Sequence, residues 1–289
     1  MAEKMYFGVL DNIQEIPVPK SGMGYNSNVD AEVTELVSGG RSVYRAPTSY
    51  KSFNMTWATT ADRLRHIIAM YNGQFGTGPF YLSDPTVNQE NMLPARWSNG
   101  WQLAHQANGW CRPTVEKAIT PTSVYSGTYY TDRAALFTQV AAGSAVVLEG
   151  VVRTRVIRVP GKPYYFSADL ESTGGASVKV RGYNGTTRTW TTLLSATSSA
   201  MSSLVVADTN TTTTMLELDI YMPLGSTLRV YGLALGTVDH SQYGNNWMPV
   251  GNGIGPVTFP DTTNGELVSS TIDRIGLSLD FIEVESIEG

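Results

Sequence analysis

The sequence has little charge, and this shortage argues against some classes of protein. Only 16% of its 289 residues are charged, against roughly 25% in an average soluble domain. The formal net charge is -5, and no cluster of Lys and Arg forms the basic stripe that is typical of a nucleic-acid binder. We therefore expect no specific nucleic-acid binding. Low charge together with many Ser, Thr, Gly and Tyr residues favours a β-rich protein.

Cysteine and histidine are too few for the usual thiol and metal sites. Cys111 is the single cysteine, so a disulfide within the chain is excluded. Beside Trp110 it is most simply a small buried hydrophobic residue. The three histidines, His66, His105 and His240, are scattered too widely for the ligand spacing of a zinc site. The sequence thus predicts no metal and no cofactor.

Long apolar runs are also missing. No run approaches the ~20 residues that a membrane span requires, and Met1–Lys4 carry no apolar signal core. We therefore expect no membrane span, and a protein that is made and assembled in a cytoplasm. Apolar residues still make up 42% of the chain, so it can bury large cores, and 289 residues are enough for about two domains.

The stretch from Phe53 to Pro85 predicts a strand, a helix and a second strand. Alternating apolar residues at Phe53–Trp57 have the period of a half-buried strand. The helix has one apolar stripe, which predicts that it covers a sheet face. The residues of this stripe are Leu64, Ile67, Ile68 and Tyr71. Thr59 and Asp62 resemble a capping box at the start of the helix, and Asn72-Gly73 ends it.

Strand patterns occur at both ends of the chain. Met5–Val9 and Ile13–Val18 each predict a short strand, and Ala31–Val37 with Ser42–Tyr44 predicts a hairpin. Near the carboxyl end, residues 275–281 alternate between apolar and other side chains, which is the cleanest strand pattern in the sequence. Its apolar members are Ile275, Leu277, Leu279 and Phe281. No partner for this strand lies nearby, so we predict that it pairs beside the strand that precedes the helix.

The middle of the chain, from about Trp101 to Gly236, reads as one short strand after another. Turn signals separate the strands, including Thr173-Gly174-Gly175 and the hairpin signal Asn184-Gly185. Evenly spaced strands without a credible helix favour a β-sandwich or jelly roll. Of the flanking segments, 91–99 reads as a linker and 251–255 as a flexible connection rather than a phosphate loop.

These patterns predict a mainly β protein in which a jelly-roll β-sandwich interrupts a smaller domain. The smaller domain is discontinuous and comprises residues 1–93 and 240–289. It is expected to form a small β-barrel or sandwich with one α-helix. The inserted jelly roll comprises residues 94–239.

Short segments also carry a resemblance to known families. They include GPFYLSDP at Gly78–Pro85, NMLPARW at Asn91–Trp97 and IGLSLDFIEVE at Ile275–Glu285. Together with the split layout, these resemble the distal tail and minor tail proteins of long-tailed, siphovirus-type phages of actinobacteria. In the middle, VPGKPYYFSADLES at Val159–Ser172 resembles the opening strand of carbohydrate-binding jelly rolls, and YMPLGSTLRVYGLALG at Tyr221–Gly236 resembles their closing hairpin.

The resemblance implies a virion structural protein with a tail-tube-like fold. Such subunits form a ring, usually of about six copies, which closes through head-to-tail contacts. The ring joins the tail tube to the tail tip or baseplate. The implied partners are further copies of the chain (a hexameric ring), the tail tube protein, the tape measure protein and the tail-tip or baseplate hub proteins. The implied location is the tail tip of the virion.

A row of outward-facing side chains in the jelly roll suggests a face that binds host cell-wall glycan, because aromatic rings stack on sugars and polar groups hold their hydroxyls. The candidate glycan-binding residues are Tyr165, Arg181, Tyr183, Trp190 and Tyr221, and the row also holds Asp169, Lys179, Glu217 and Asp219. Alternatively, the basic members of the row pair with its acidic members across strands, as on ordinary sheet surfaces. Trp190 also fits a position in the core or at an interface. The alternative function is a cell-surface carbohydrate-binding module without a ring role.

A polysaccharide hydrolase is the remaining class. Glu217 and Asp219 share one face of a strand, so both would lie on the same side of a substrate, whereas the carboxylates of glycosidases flank the bond that they cleave. The sequence also lacks a nucleophile-elbow motif for Ser-His-Asp chemistry. We therefore predict no catalytic residues and no enzymatic activity.

Overall fold

The fold is given by a computed structural model, which describes part of the chain. The described residues are 4–20, 24–28, 31–35, 41–45, 50–83, 91–98, 122–125, 133–138, 149–200, 204–206, 212–222, 227–239, 251–260, 266–271 and 274–284. Several residues discussed above, among them Cys111, Trp110, His105 and His240, lie outside these ranges.

The elements follow one another along the chain in three groups. The first group is β1 (Met5–Val9), β2 (Asn12–Ile16), β3 (Gly24–Asn28), β4 (Ala31–Glu35), β5 (Arg41–Arg45), β6 (Tyr50–Thr59), α1 (Ala61–Tyr71), β7 (Tyr81–Ser83) and α2 (Ala95–Ser98). The second is β8 (Thr122–Tyr125), β9 (Arg133–Thr138), β10 (Glu149–Ile157), β11 (Tyr164–Asn184), β12 (Thr189–Ala200), β13 (Leu204–Val206), β14 (Thr213–Met222) and β15 (Thr227–Gly236). The third is β16 (Val257–Thr258), β17 (Glu266–Thr271) and β18 (Arg274–Glu283). We call β1–β7, α1 and β16–β18 the split unit, and β8–β15 the sandwich.

The last strand returns to the amino-terminal part of the chain. β18 pairs antiparallel with β6, and the sheet runs in the order β16-β18-β6-β3, with β17 also paired to β18. The register sets buried apolar residues opposite one another: Phe281 and Phe53, Leu279 and Met55, Leu277 and Trp57. The predicted long-range pairing is therefore confirmed. A second sheet of order β2-β1-β7 shares one core with this sheet and with α1.

Helix α1 covers the sheets with a stripe that differs slightly from the predicted one. Its fully buried residues are Leu64, Ile67 and Met70, while Ile68 and Tyr71 pack at the margin of the core. The N-cap is Thr60, which makes no side-chain capping bond, so the predicted capping box is wrong. The predicted end is confirmed, since Asn72 is the C-cap and Gly73 follows with the positive φ of 72° that such ends favour.

Strand β11 has different partner strands along its length. Its first part pairs with β15, and its second part pairs with β14 and β12. Side chains from both parts, such as Phe166, Leu170, Val178 and Val180, enter one core with those of β14 and β15. The turn predicted at Thr173–Gly175 is wrong, because β11 continues through these residues. Gly175 has a φ of 76°, a conformation that glycine adopts without strain.

The strand order of the sandwich corrects one expectation and confirms another. β14 and β15 each pair with β11 rather than with each other, so Tyr221–Gly236 is not a hairpin. The hairpin predicted at Asn184-Gly185 is confirmed, since Tyr183 pairs with Trp190 across it. The Asn184 side-chain oxygen accepts hydrogen bonds from the backbone N–H groups of Thr186 and Thr187, at 2.9 and 3.1 Å.

The two segments that flank the sandwich are packed structure. Trp97, on the predicted linker, is fully buried in the sandwich core. The Met92 N–H donates to Leu235 O at 2.9 Å, and the Gly253 N–H donates to Leu93 O at 3.0 Å. A Cβ at Gly253 would lie 1.7 Å from Met92 O. The interpretation of 251–255 as a flexible connection is therefore wrong, because its glycines allow two backbones to touch.

The predicted fold class is confirmed: the protein is mainly β, with several antiparallel sheets of the β-sandwich or jelly-roll type. The domain boundaries and the tail-tube likeness stay predictions. Neither described helix, of 11 and four residues, could serve as a membrane span.

Candidate functional site

A buried ionic cluster lies on the outer face of the sandwich layer formed by β10, β14 and β11. Glu217 on β14 lies between Arg155 on β10 and Arg181 on β11, because the strand register pairs it with both. Glu217 Oε2 accepts a hydrogen bond from Arg155 Nε at 2.7 Å, and its Oε1 accepts one from Arg181. Arg181 also pairs with Asp219 at 2.9 Å. The two carboxylates are 0% and 1% exposed, so this cluster is an internal feature rather than a solvated surface.

Aromatic rings enclose the two guanidinium groups. The carbon of each guanidinium, in Arg155 and in Arg181, lies 5.4 Å from the centre of the Trp190 ring, within the range of a cation–π interaction. The ring of Tyr183 is 5.0 Å from that of Trp190. Arg155 Nη1 also donates to the Tyr81 hydroxyl at 3.2 Å. Since Tyr81 belongs to β7, the split unit takes part in the cluster.

The split unit covers this face of the sandwich. The Tyr183 hydroxyl donates a hydrogen bond to Asp11, in the turn between β1 and β2. Burial, followed by this hydrogen bond and the negative charge of Asp11, raises the pKa of Tyr183 to about 12. An apolar cluster surrounds the contact. Its members are Tyr81, Ile157, Tyr183 and Met215, with Tyr6, Leu10, Ile13 and Trp190 at its margin. We call this contact between the two parts the seam.

The structure separates the residues that the sequence placed in one row. Arg181, Tyr183 and Trp190 lie together at the seam, while Tyr165 lies on the part of β11 that pairs with β15. The structure therefore does not bring Tyr165 beside the other three, and glycan binding by these residues stays a prediction. The alternative of cross-strand ion pairing is confirmed for Arg181. The Tyr221 side chain lies outside the described part of the structure.

A second group of polar side chains lies on the β11–β15 layer. Tyr165 stands opposite Gly236, and Asp169 opposite Gly232, so neither has a side chain facing it on β15. Burial, and then the neighbouring charge of Glu171, raises the pKa of Asp169. Glu171 itself is exposed and accepts hydrogen bonds at 3.3 Å from Arg229 and Tyr231. Tyr165 and Asp169 lie on the same stretch of β11, and a tyrosine ring and a carboxylate are groups that can contact a sugar.

Sequence patterns did not identify the residues that the split unit contributes to the seam. Asp11 lies 172 positions from Tyr183, and Tyr81 lies 74 positions from Arg155. A period-two pattern shows which face of a strand is buried, but it carries no information about which distant turn covers the polar face. Within the described ranges, no group of three His, Cys, Asp or Glu side chains could hold a metal ion.

Comparisons with known proteins give no family. No family model matches the sequence, and no curated protein matches it. Among solved structures, a xylanase 10B of Clostridium thermocellum with CBM22-1 and GH10 modules is 12% identical over 52% of this chain and 29% of that chain, with a TM-score of 0.35. A family 16 carbohydrate-binding module is 10% identical over 40% and 85%, with a TM-score of 0.29. The VP2 subviral particle of infectious bursal disease virus is 12% identical over 98% and 80%, with a TM-score of 0.26. Similarities this low assign no function to the chain.

Proposed function

We propose that this chain is a virion structural protein, a distal or minor tail subunit of a long-tailed phage of actinobacteria. Its copies form a ring at the tail tip that joins the tail tube to the tip or baseplate proteins. The sandwich is carried on this ring, and the chain is not an enzyme. The proposal extends the resemblance of the split layout and of the segments at Gly78–Pro85, Asn91–Trp97 and Ile275–Glu285.

The hairpin β4–β5 is the observation that carries the assembly role. Its strands pair with each other and, among the described strands, with no other sheet. Val33 is 57% exposed there, and the ion pair between Arg41 and Glu35 is exposed as well. A two-stranded sheet is marginally stable in water by itself, so an exposed one favours packing against a second molecule. In a ring, the next copy supplies that surface.

The seam supports a structural rather than a catalytic role for the sandwich. Glu217 and Asp219 are buried and paired with arginines, so they are engaged by the fold and are poor candidates for proton transfer. The same contacts hold the sandwich in a defined orientation on the split unit. A subunit that transmits its geometry around a ring benefits from such a rigid junction.

The ring role is tested on the purified full-length chain by native mass spectrometry and electron microscopy. We expect a closed multimer for the natural chain and monomers for Val33→Asp, with unchanged melting temperatures. Val18→Asp is the matched control, since Val18 is 50% exposed in the same unit, and it should keep the multimer. The proposal is wrong if the chain stays monomeric and antibodies against it fail to label the tail tips of intact particles.

A second candidate function is the binding of host cell-wall glycan by the sandwich. The observation that favours it is the group around Tyr165 and Asp169, with glycines opposite both. Glycan-array binding by the full-length chain would support it if Tyr165→Ala abolished the signal. Trp190→Ala serves as the comparison, because Trp190 lies in the seam, and its loss should leave a site at Tyr165 intact. The candidate is dropped if no glycan binds, or if binding is indifferent to Tyr165→Ala.

A further inference from the structure

A large groove lies between strand β2 and helix α1 of the split unit. Its volume is about 760 Å³, within the range of roughly 300–1,000 Å³ that is usual for ligand pockets. β2 and the residue after it form one wall, through residues 14–17, and the helix forms the other through the turns that contain Arg63, His66 and Ala69. Gln74 and Phe75, which follow the helix, close one end.

One wall of this groove is an edge strand. In the sheet order β2-β1-β7, β2 is terminal, and no described strand pairs with its outer side. An edge strand presents backbone N–H and C=O groups that can pair with another chain. Recognition by strand addition uses such an edge, while neighbouring pockets select alternate side chains of the added peptide.

The groove offers an apolar end. Phe75 is 42% exposed, and among the large apolar residues that the structure describes only Val18 and Val33 are more exposed. Ala69 and Ile16 lie in the same lining. His66 packs beside Phe75, with ring centres 6.2 Å apart, and one of its ring nitrogens is 2.9 Å from Phe7 O. Burial lowers the pKa of His66, so this wall carries no charge from histidine near neutral pH.

The four charged side chains that line the groove are Glu15, Asp62, Arg63 and Arg65, and their formal charges cancel. Arg65 is paired with Asp62, and Glu15 is paired with Lys4 at 2.7 Å. Arg63 is exposed and makes no ion pair with a described residue. Arg63 is therefore the lining charge that remains to pair with a carboxylate on whatever enters the groove.

We propose that this groove binds an extended, acidic peptide segment of a partner protein. The segment adds as a strand to the outer edge of β2. Its alternate apolar side chains contact Phe75 and Ala69, and a carboxylate pairs with Arg63. The proposal is independent of the ring role, because it concerns a site within one copy of the chain.

Selection from a displayed library of random 12-residue peptides tests the proposal on the immobilised full-length chain. We expect the selected peptides to alternate apolar and polar residues and to carry Asp or Glu. Synthetic copies of them should bind Arg63→Glu about tenfold more weakly, which is the scale of losing one charge pair at an interface. Phe75→Ala should weaken binding by a similar factor. Arg188→Glu is the matched control, since Arg188 is exposed in the β11–β12 turn of the sandwich, and it should change nothing.

Hydrogen exchange separates strand addition from simple charge attraction. Binding of a selected peptide should slow the exchange of backbone amides in residues 12–16, because the added strand pairs with the edge of β2. The proposal is overturned if no peptide is selected, if Arg63→Glu and Arg188→Glu bind the peptides equally well, or if binding leaves exchange in β2 unchanged. If the ring experiments failed, each of these outcomes could still be measured on the monomer.

Discussion

Phe281, in the last strand, lies directly opposite Phe53 in β6, and their rings stack with centres 5.4 Å apart and planes only 12° from parallel. Both side chains are buried in the core of the split unit. This contact joins residues from the two ends of the chain and encloses the whole sandwich between them. The stability of the split unit therefore depends on a strand that follows the whole sandwich in the sequence.

Phe281→Ala should destabilise the protein by about 3–5 kcal/mol, the usual cost of truncating a fully buried Phe. Urea unfolding measures this loss. Ile282→Ala is the control, because Ile282 is the next residue of the same strand but is 36% exposed, and it should cost less than about 1 kcal/mol. Equal losses for the two variants would contradict the buried register of β18.

Glu217→Gln should destabilise the sandwich by about 3 kcal/mol, because it removes a buried carboxylate that two partly buried arginines share. Glu171→Gln is the matched control. Glu171 pairs with Arg229 at 3.3 Å, but both side chains are at least half exposed, so the loss should stay below about 1 kcal/mol. Chemical denaturation of both variants compares the two. Similar losses would mean that the seam contributes no more than a surface ion pair.

Gly253→Ala should cost about 3 kcal/mol or more, since the new Cβ would overlap the backbone carbonyl of Met92, which cannot rotate away. The comparison is Gly73→Ala. Nothing lies within 4 Å of a Cβ at Gly73, but its φ is +72°, so only backbone strain of about 1–2 kcal/mol applies. Thermal and urea unfolding measure both. A mild effect at Gly253 would show that the segments 91–93 and 251–255 can separate.

Alkaline pH should destabilise the sandwich through Tyr164. Burial raises the pKa of Tyr164 from 10.0 to about 12, so the unfolded chain ionises this group first. The stabilisation is fully present below pH 10 and is lost between pH 10 and 12, at about 1.4 kcal/mol per pH unit. Tyr164→Phe should show a shallower fall in unfolding free energy over that range. Its stability at pH 7 should be lower by about 1 kcal/mol, because the hydroxyl accepts a hydrogen bond from the Val159 N–H at 2.7 Å.

Equal slopes for the natural chain and Tyr164→Phe between pH 10 and 12 would contradict that account of Tyr164. The measurement requires denaturant unfolding at several alkaline pH values. The pKa of Tyr183 is also raised to about 12, so Tyr183 lowers the free energy of unfolding over the same pH range. In the Tyr164→Phe variant, the slope of unfolding free energy against pH should therefore become smaller but should not reach zero.

Local patterns in the sequence predicted most of the secondary structure. The alternation at 275–281 and at Phe53–Trp57 predicted the two strands β18 and β6, which pair with each other. Asn184-Gly185 predicted the hairpin between β11 and β12. The errors came where tertiary packing overrode a local signal. Thr173–Gly175 has the composition of a turn, but the strand continues through it because partner strands pair with β11 on both sides of this segment.

The sequence by itself determined that the chain is mainly β, that one amphipathic helix covers a sheet, and that the last strand needs a distant partner. These conclusions follow from periodicity, because burial on one side of a strand or helix must appear in the order of residues. Only the tertiary structure decided what covers the charged face of the sandwich. Asp11 and Tyr81 reach Tyr183 and Arg155 from far along the chain, and packing over such separations leaves no pattern in the residues that take part.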